Sequence, residues 1–297
     1  MRYSLLQTYI FKFLIFSFTI VLLYLLNPEN NDYQTLKKAY DNSWDGYGHG
    51  FQAVSSIGRL LDLNYKFVHF MLLALLFPFF INTNIAQIIG ISISIILLFG
   101  VLNEQTRFYI SLSGVSVAVL KRNYLLISLA MFHVAGAILG ILVASLSLLW
   151  IYHSRFIWRF FLLVGTVFFG VGLKPIILQI GAAVGYGYAG TIFLEPSSVN
   201  SLFFKFLVFL SLIFYRKSEA DHFYVLVLMS LICSIAFSDF AILSGRLLVF
   251  SSILYGGLIF SKSYDVAGYR TKDFKYLIFY LSMIMKVVIL TILSSRF

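Results

Sequence analysis

NYLLISLAMFHVAGAILGILVASLSLLWIY, residues 123–152, contains one histidine, His133, and no Asp, Glu, Lys or Arg. About 20 consecutive apolar residues suffice to carry a helix across the hydrocarbon core of a bilayer. The stretch therefore reads as membrane-embedded, either as one long helix or as two short ones turning near His133. The rest of the chain agrees with it in kind. Of 297 residues, 60% are hydrophobic and 11% charged, and the mean hydropathy is +0.92. A soluble domain of this length lacks the interior to bury so much apolar surface. The composition predicts an all-α polytopic membrane protein, a single integral membrane domain over 1–297. Phe and Tyr, at 32 and 19 copies, suit lipid-facing packing and interfacial belts. The single Cys233 excludes an intrachain disulfide and a cysteine-based metal site.

Spans are expected near 9–26, 65–81, 85–102, 107–120, 156–173, 199–215, 222–240, 247–261 and 274–294. With one or two more from 123–152, the total is about 10–11. The run 9–26 lacks a small-residue cleavage site after it and reads as a retained span. The net charge of +10 is better explained by positive cytoplasmic loops than by nucleic acid, which is not expected as a partner. Arg2 and Lys12 place the N-terminus in the cytoplasm. Lys121 and Arg122, Arg155 and Arg159, and Arg216 with Lys217 all then fall inside if the chain turns back at His133. Lys262, Arg270, Lys272 and Lys275 join them. One long helix through 123–152 leaves Arg155 and Arg159 outside, so the turn is favoured. Arg107, Lys174 and Arg246 fall on the outer side.

Two segments are not ordinary spans. The outer loop 27–64 is the most polar part of the chain, with Asp32, Tyr33, Lys37, Lys38, Tyr40, Asp41, Asp45 and His49. Within it, Gly46-Tyr47-Gly48-His49-Gly50-Phe51 is flexible by composition, and Phe51 to Leu63 is amphipathic, lying in the interface or re-entering. The stretch 174–198 carries Gly181, Gly185, Gly187 and Gly190 with Tyr186 and Tyr188. It is either a periplasmic or re-entrant loop lining a cavity or a close-packed helix face. No internal repeat is evident.

Charged groups in hydrocarbon cost on the order of 2.5–3.5 kcal/mol or more, so Arg107, His133 and Arg246 are the candidate functional residues. Arg107 opens a helix after Asn103-Glu104-Gln105-Thr106, and Arg246 sits in Ser244-Gly245-Arg246-Leu247. Each alone fits a snorkelling interfacial arginine. Together on one face, with Lys174, they suit a phosphate-bearing ligand, because a guanidinium binds phosphate in a planar fork and stays charged. His133 is either a core histidine bonded to a neighbouring helix or a proton acceptor or phosphate contact. The histidines show no helical ligand pairs, and no metal is expected. Asp32, Asp41, Asp45, Glu104 and Glu195 read as solvated loop charges or as a general base. Neither a Walker motif nor GxGxxG is present, which argues against a nucleotide-dependent enzyme and leaves no cofactor expected.

In order, the chain presents Asp32-Tyr33 and Tyr40, Gly50-Phe51, an Arg-led helix, Lys121-Arg122, His133 in an apolar hairpin, and Ser244-Gly245-Arg246-Leu247. This arrangement resembles the EpsG group of Wzy-type polysaccharide polymerases over roughly the whole chain. The resemblance implies a GT-C-like glycosyltransferase of the bacterial inner membrane, joining repeat units carried on undecaprenyl diphosphate at the periplasmic face. It implies catalytic roles for Arg107, His133 and Arg246. Substrate contacts would come from Asp32, Tyr33, Tyr40, Asp45, His49, Glu104, Lys174 and Tyr186. Lipid-linked donor and acceptor glycans, membrane lipid, a chain-length regulator and a flippase would be the partners. Where the family often carries Glu-Pro-Gly-Phe, this chain has Gly48-His49-Gly50-Phe51, so His49 or Asp45 would stand in for that glutamate. Rival readings are a ligase moving finished polymer to another anchor, a flippase, and a non-catalytic export subunit. A flippase fits less well, since related halves with matching broken helices are not seen in the sequence.

Overall fold

The structure, a computed structural model, describes residues 5–26, 31–44, 47–80, 83–99, 102, 105–153, 155–183, 205 and 222–265, with only the backbone at some helical positions. The expected spans 199–215 and 274–294 lie outside the described residues, apart from Lys205. All the described elements are helices: α1 (Leu5–Leu26), α2 (Asn31–Asp41), α3 (His49–Leu60), α4 (Tyr65–Ala74), a 3₁₀ turn (Phe77–Phe80), α5 (Ile85–Leu97), α6 (Thr106–Lys121), a 3₁₀ helix (Tyr124–Phe132), α7 (Val134–Tyr152), α8 (Phe156–Ala183), α9 (His222–Ala236) and α10 (Ala241–Asp265). Among the described residues, three windows are long and apolar enough to cross a membrane: Gln7–Leu26, Val134–Tyr152 and Ala241–Phe260. At 1.5 Å per residue, 20 residues reach about 30 Å, the thickness of a bilayer core. On α1, Tyr9, Phe13, Leu14 and Phe18 are exposed. A helix that is apolar all round yet uncovered has lipid as its natural solvent.

The helices fall into two compact units, the chain up to Leu142 with Ile253 onward, and Val143–Ser252. In the first, α1 packs on α4 and α5, burying Ile20 and Leu23, with Leu72, Leu73, Ile88 and Ile91 buried on the partner helices. Phe16 meets Phe77 and Phe80 edge-on at 5.4 and 5.1 Å, the arrangement that the ring quadrupoles favour. The start of α5 is set by a capping box: Asn84 Oδ1 accepts from the Gln87 N–H at 2.8 Å, and Gln87 Oε1 accepts from the Asn84 N–H at 2.9 Å.

The chain turns back at His133. Arg122 ends α6 in the left-handed conformation, φ 53°. The next nine residues wind as a 3₁₀ helix, unusually long for a form that rarely exceeds 3–4 residues. At roughly 2 Å per residue it covers about 18 Å, enough to return the chain along most of α6. Leu129 lies on Gly114, and Ser111 Oγ donates to the Leu129 carbonyl at 2.7 Å. His133 is then extended, φ −161°, and α7 sets off beside α6. Gly136 lies against Phe108 and Leu112, and Gly140 against Leu112 and Ser116. Both contacts advance by four residues, so α6 and α7 run parallel. The reading of 123–152 as a single helix is thereby excluded.

The loop 27–64 is more ordered than its composition suggests, since most of it forms α2 and α3. Likewise α8 continues about ten residues past its expected end at 173, through Pro175 to Ala183. A proline removes one helical hydrogen bond, and apolar membrane helices tolerate this when neighbours compensate. The first part of the expected 174–198 loop is therefore helical. Residues 184–198 lie outside the described residues.

In the second unit, α9 and α10 are antiparallel. Ser234 faces Ser244, and Ser251 Oγ donates to the Val227 carbonyl at 3.3 Å. Gly170 lets α8 close on Ala236 of α9.

Candidate functional site

Arg107 occupies the second position of α6. Side chains on a helix lean towards its N-terminus, and this one reaches the loop before α3. Its Nη1 donates to the Tyr47 carbonyl, across a separation of 60 residues. The guanidinium lies over the Tyr47 ring at 5.3 Å and the Phe51 ring at 5.8 Å. Cation–π contacts of this kind contribute about 0.5–2 kcal/mol. The loop itself requires glycine. Gly48 has φ 88°, and a Cβ there would lie 3.2 Å from the carbonyl oxygens of both Met131 and Phe132. At Gly50 it would lie 2.7 Å from the Phe132 ring. The segment 47–51 is thus wedged between Arg107 and the end of the 3₁₀ helix, immediately before His133.

His133 acts as the N-cap of α7. Its Nδ1 accepts from the Gly136 N–H at 3.3 Å, satisfying one of the unpaired donors of the first turn. A ring that accepts at Nδ1 carries its hydrogen on Nε2. The imidazole also meets the Phe108 ring edge-on at 5.3 Å. Arg107, His133 and the 47–51 loop therefore gather at one end of the α6–α7 pair. The N-termini of two parallel helices lie at that same end, where the backbone carries partial positive charge.

Other expected site residues are placed differently. Tyr33 and Tyr40 are buried. Tyr33 packs edge-on against Tyr65 at 5.0 Å and His69 at 5.1 Å. The Tyr40 hydroxyl donates to the Leu63 carbonyl at 2.6 Å, and Arg59 lies over its ring at 5.6 Å. These rings hold α2 to the start of α4. Burial holds the Tyr40 hydroxyl above its ordinary pKa, with Arg59 acting in the opposite sense. Asp41 forms an exposed ion pair with Lys37 at 2.7 Å, the solvated arrangement worth little to stability. His49 is exposed at the start of α3. Asp32 lies on α2 and Lys174 on α8, with only the backbone described, and Asp45, Glu104 and Tyr186 lie outside the described residues.

Arg246 belongs to the second unit, half-buried on α10. Next to it in sequence is a cluster that the sequence reading missed. Ser244 Oγ donates to the Ser234 carbonyl at 2.5 Å, and Ser234 Oγ donates to the Ser244 carbonyl at 2.7 Å. Lys205, with no exposed surface, donates through Nζ to Ser244 Oγ. The signal was available, since Lys205 is a lone cation in the apolar run Phe203-Phe204-Lys205-Phe206-Leu207. Among the described residues, no group of three His, Cys, Asp or Glu side chains is placed to hold a metal.

The fold and site define the class in coarse terms: an all-helical protein with helices able to cross a membrane, and a basic, aromatic site at one end of a parallel helix pair. No protein-family model, curated protein or solved structure matches the chain.

Proposed function

We propose that the chain is a polytopic glycosyltransferase of the bacterial inner membrane, GT-C-like in architecture. It would polymerise lipid-diphosphate-linked oligosaccharide repeats in the manner of the EpsG group of Wzy-type polymerases. The observation that carries this reading is the gathering of Arg107, His133 and the Tyr47–Phe51 segment at the N-terminal ends of α6 and α7. Sequence order alone spreads these groups over 87 positions, 47 to 133. A guanidinium beside two helix N-termini favours an anionic group, and a diphosphate suits it best.

In this scheme an acceptor hydroxyl attacks the anomeric carbon of the donor glycan. The carbon–oxygen bond to the lipid diphosphate breaks, and the diphosphate leaves with the bonding electrons. Arg107 stabilises the charge growing on the leaving oxygen, more strongly in the transition state than before it. His133 contributes as a hydrogen-bond donor from Nε2, because its Nδ1 is engaged by Gly136. The hydroxyl proton then passes to another group, for which His49 at the lip of the same loop is the candidate. The family resemblance implies a functional role for Arg246 as well, on α10 of the second unit. The lipid diphosphate is already activated, so no nucleotide is consumed.

The test uses purified protein with lipid-linked repeat units and neither nucleotide nor added metal. A ladder of polymer on the lipid diphosphate supports the scheme. Wild-type-length polymer from both Arg107→Ala and His133→Ala, at normal protein level, refutes it.

A further inference from the structure

The geometry points to a binding site for the headgroup of an anionic phospholipid at the junction of α7 and α8. This inference rests on the membrane-embedded reading of the chain and not on polymerase chemistry. A cleft of about 290 Å³ is lined by Leu149, His153, Trp158, Arg159, Phe161 and Leu162. The Arg159 Nε donates to the His153 carbonyl at 3.0 Å, and its guanidinium lies over the Trp150 ring at 5.0 Å. The His153 and Trp158 rings stack at 5.9 Å. Arg159 is thus held in place before any ligand arrives.

Three features select the occupant. Charge comes first: Arg159 lines the cleft, Arg155 lies four residues before it, and residues 143–173 contain no Asp or Glu, so the cleft favours an anion. Size comes second. At the low edge of the roughly 300–1,000 Å³ typical of small-molecule pockets, the cleft suits a phosphate with its glycerol rather than a whole lipid-linked glycan. The third is the apolar surface running away from it. Trp158, Phe161, Phe168 and Phe169 are all more than half exposed and lie along one stripe of α8 at helical spacing. Gly165 interrupts that stripe with open space where a Cβ would stand, leaving a groove for an acyl chain. Paired tryptophans beside arginines are what a headgroup boundary requires, since each offers an apolar body and a polar tip.

The experiment reads quenching of Trp150 and Trp158, the two tryptophans left in a Trp44→Phe background, by spin-labelled lipids in nanodiscs. Spin-labelled phosphatidylglycerol is expected to quench several-fold more efficiently than spin-labelled phosphatidylcholine. Arg159→Gln should reduce that ratio to near one while Arg159→Lys retains most of it, with unfolding temperatures in phosphatidylcholine alone unchanged. Equal quenching by the two lipids in the wild-type protein overturns the inference. So does displacement of the anionic lipid by millimolar inorganic phosphate, which would mark a free-anion site. Neither result touches the polymer assay, so the two proposals fail separately.

Discussion

Gly136→Ala tests whether the close approach of α6 and α7 builds the site. A Cβ at Gly136 falls 2.6 Å from the carbonyl oxygen of Phe108. Carbon–oxygen contacts between packed backbones lie near 3.3–3.6 Å, so α7 must retreat by about 0.7 Å. The obstructing atom is backbone and cannot rotate aside, so the cost is that of an overpacked core, about 1–3 kcal/mol. Alanine is intrinsically a better helix former than glycine by about 1 kcal/mol, which masks part of that cost. Gly165→Ala supplies the correction, because its new methyl meets nothing within 4 Å and gains propensity alone. The difference between the two variants therefore isolates the steric term, a factor of roughly 5–150 in the folded-to-unfolded ratio. Thermal unfolding of both proteins in one detergent measures it, and polymer length in cells reports whether the displaced His133 cap also impairs function. Equal stability of the two variants would refute the close approach and, with it, the placement of His133 beside Arg107.

Arg107→Lys keeps the charge but loses the fork that holds Tyr47 and stacks on two rings; under the proposed polymerase scheme, polymer yield should fall at least tenfold at unchanged protein level, checked by gel and immunoblot. Ser244→Ala removes the hydroxyl that accepts from buried Lys205 and donates to the Ser234 carbonyl, while the Ser234 hydroxyl keeps its backbone acceptor at 244, and should destabilise by about 1–3 kcal/mol. Pairing it with Lys205→Met should recover part of that loss, since no buried cation is then left without Ser244; no recovery in a double-mutant cycle would show that the two residues act independently. The folded-state pKa of Tyr40 lies above 10.0, so its contribution is intact below the unfolded-state value and lost as pH rises through the folded one. Wild-type protein should therefore lose stability relative to Tyr40→Phe only above pH about 10, as followed by circular dichroism.

The break at His133 was legible because a single charge pattern favoured it: Arg155 and Arg159 share a side with Lys121 and Arg122 only if the chain turns. What the break looks like was not legible. A 3₁₀ return has the same composition as an α-helix, and only its packing on Gly114 and Ser111 sets its pitch. The run Gly136-Ala137-Ile138-Leu139-Gly140 carried the small-residue spacing that lets membrane helices touch, and it predicts the α6–α7 contact in hindsight. The placement of Tyr33 and Tyr40 was hidden for a related reason. In a polar loop they suggest sugar stacking, yet burial against Tyr65 and His69 depends on how two short helices fold back, which no local pattern encodes.

The amino-acid order on its own determined the material of this protein: apolar helices of membrane-crossing length, their approximate ends, and which side chains would be costly to embed. These properties are sums over neighbouring residues, so a linear reading captures them. Tertiary structure alone decided which costly groups meet. Arg107 reaches Tyr47 and His133 caps α7 because glycines at 48, 50, 136 and 140 remove side chains where backbones must touch. That is a condition on pairs of distant segments, and it exists only once the chain has folded.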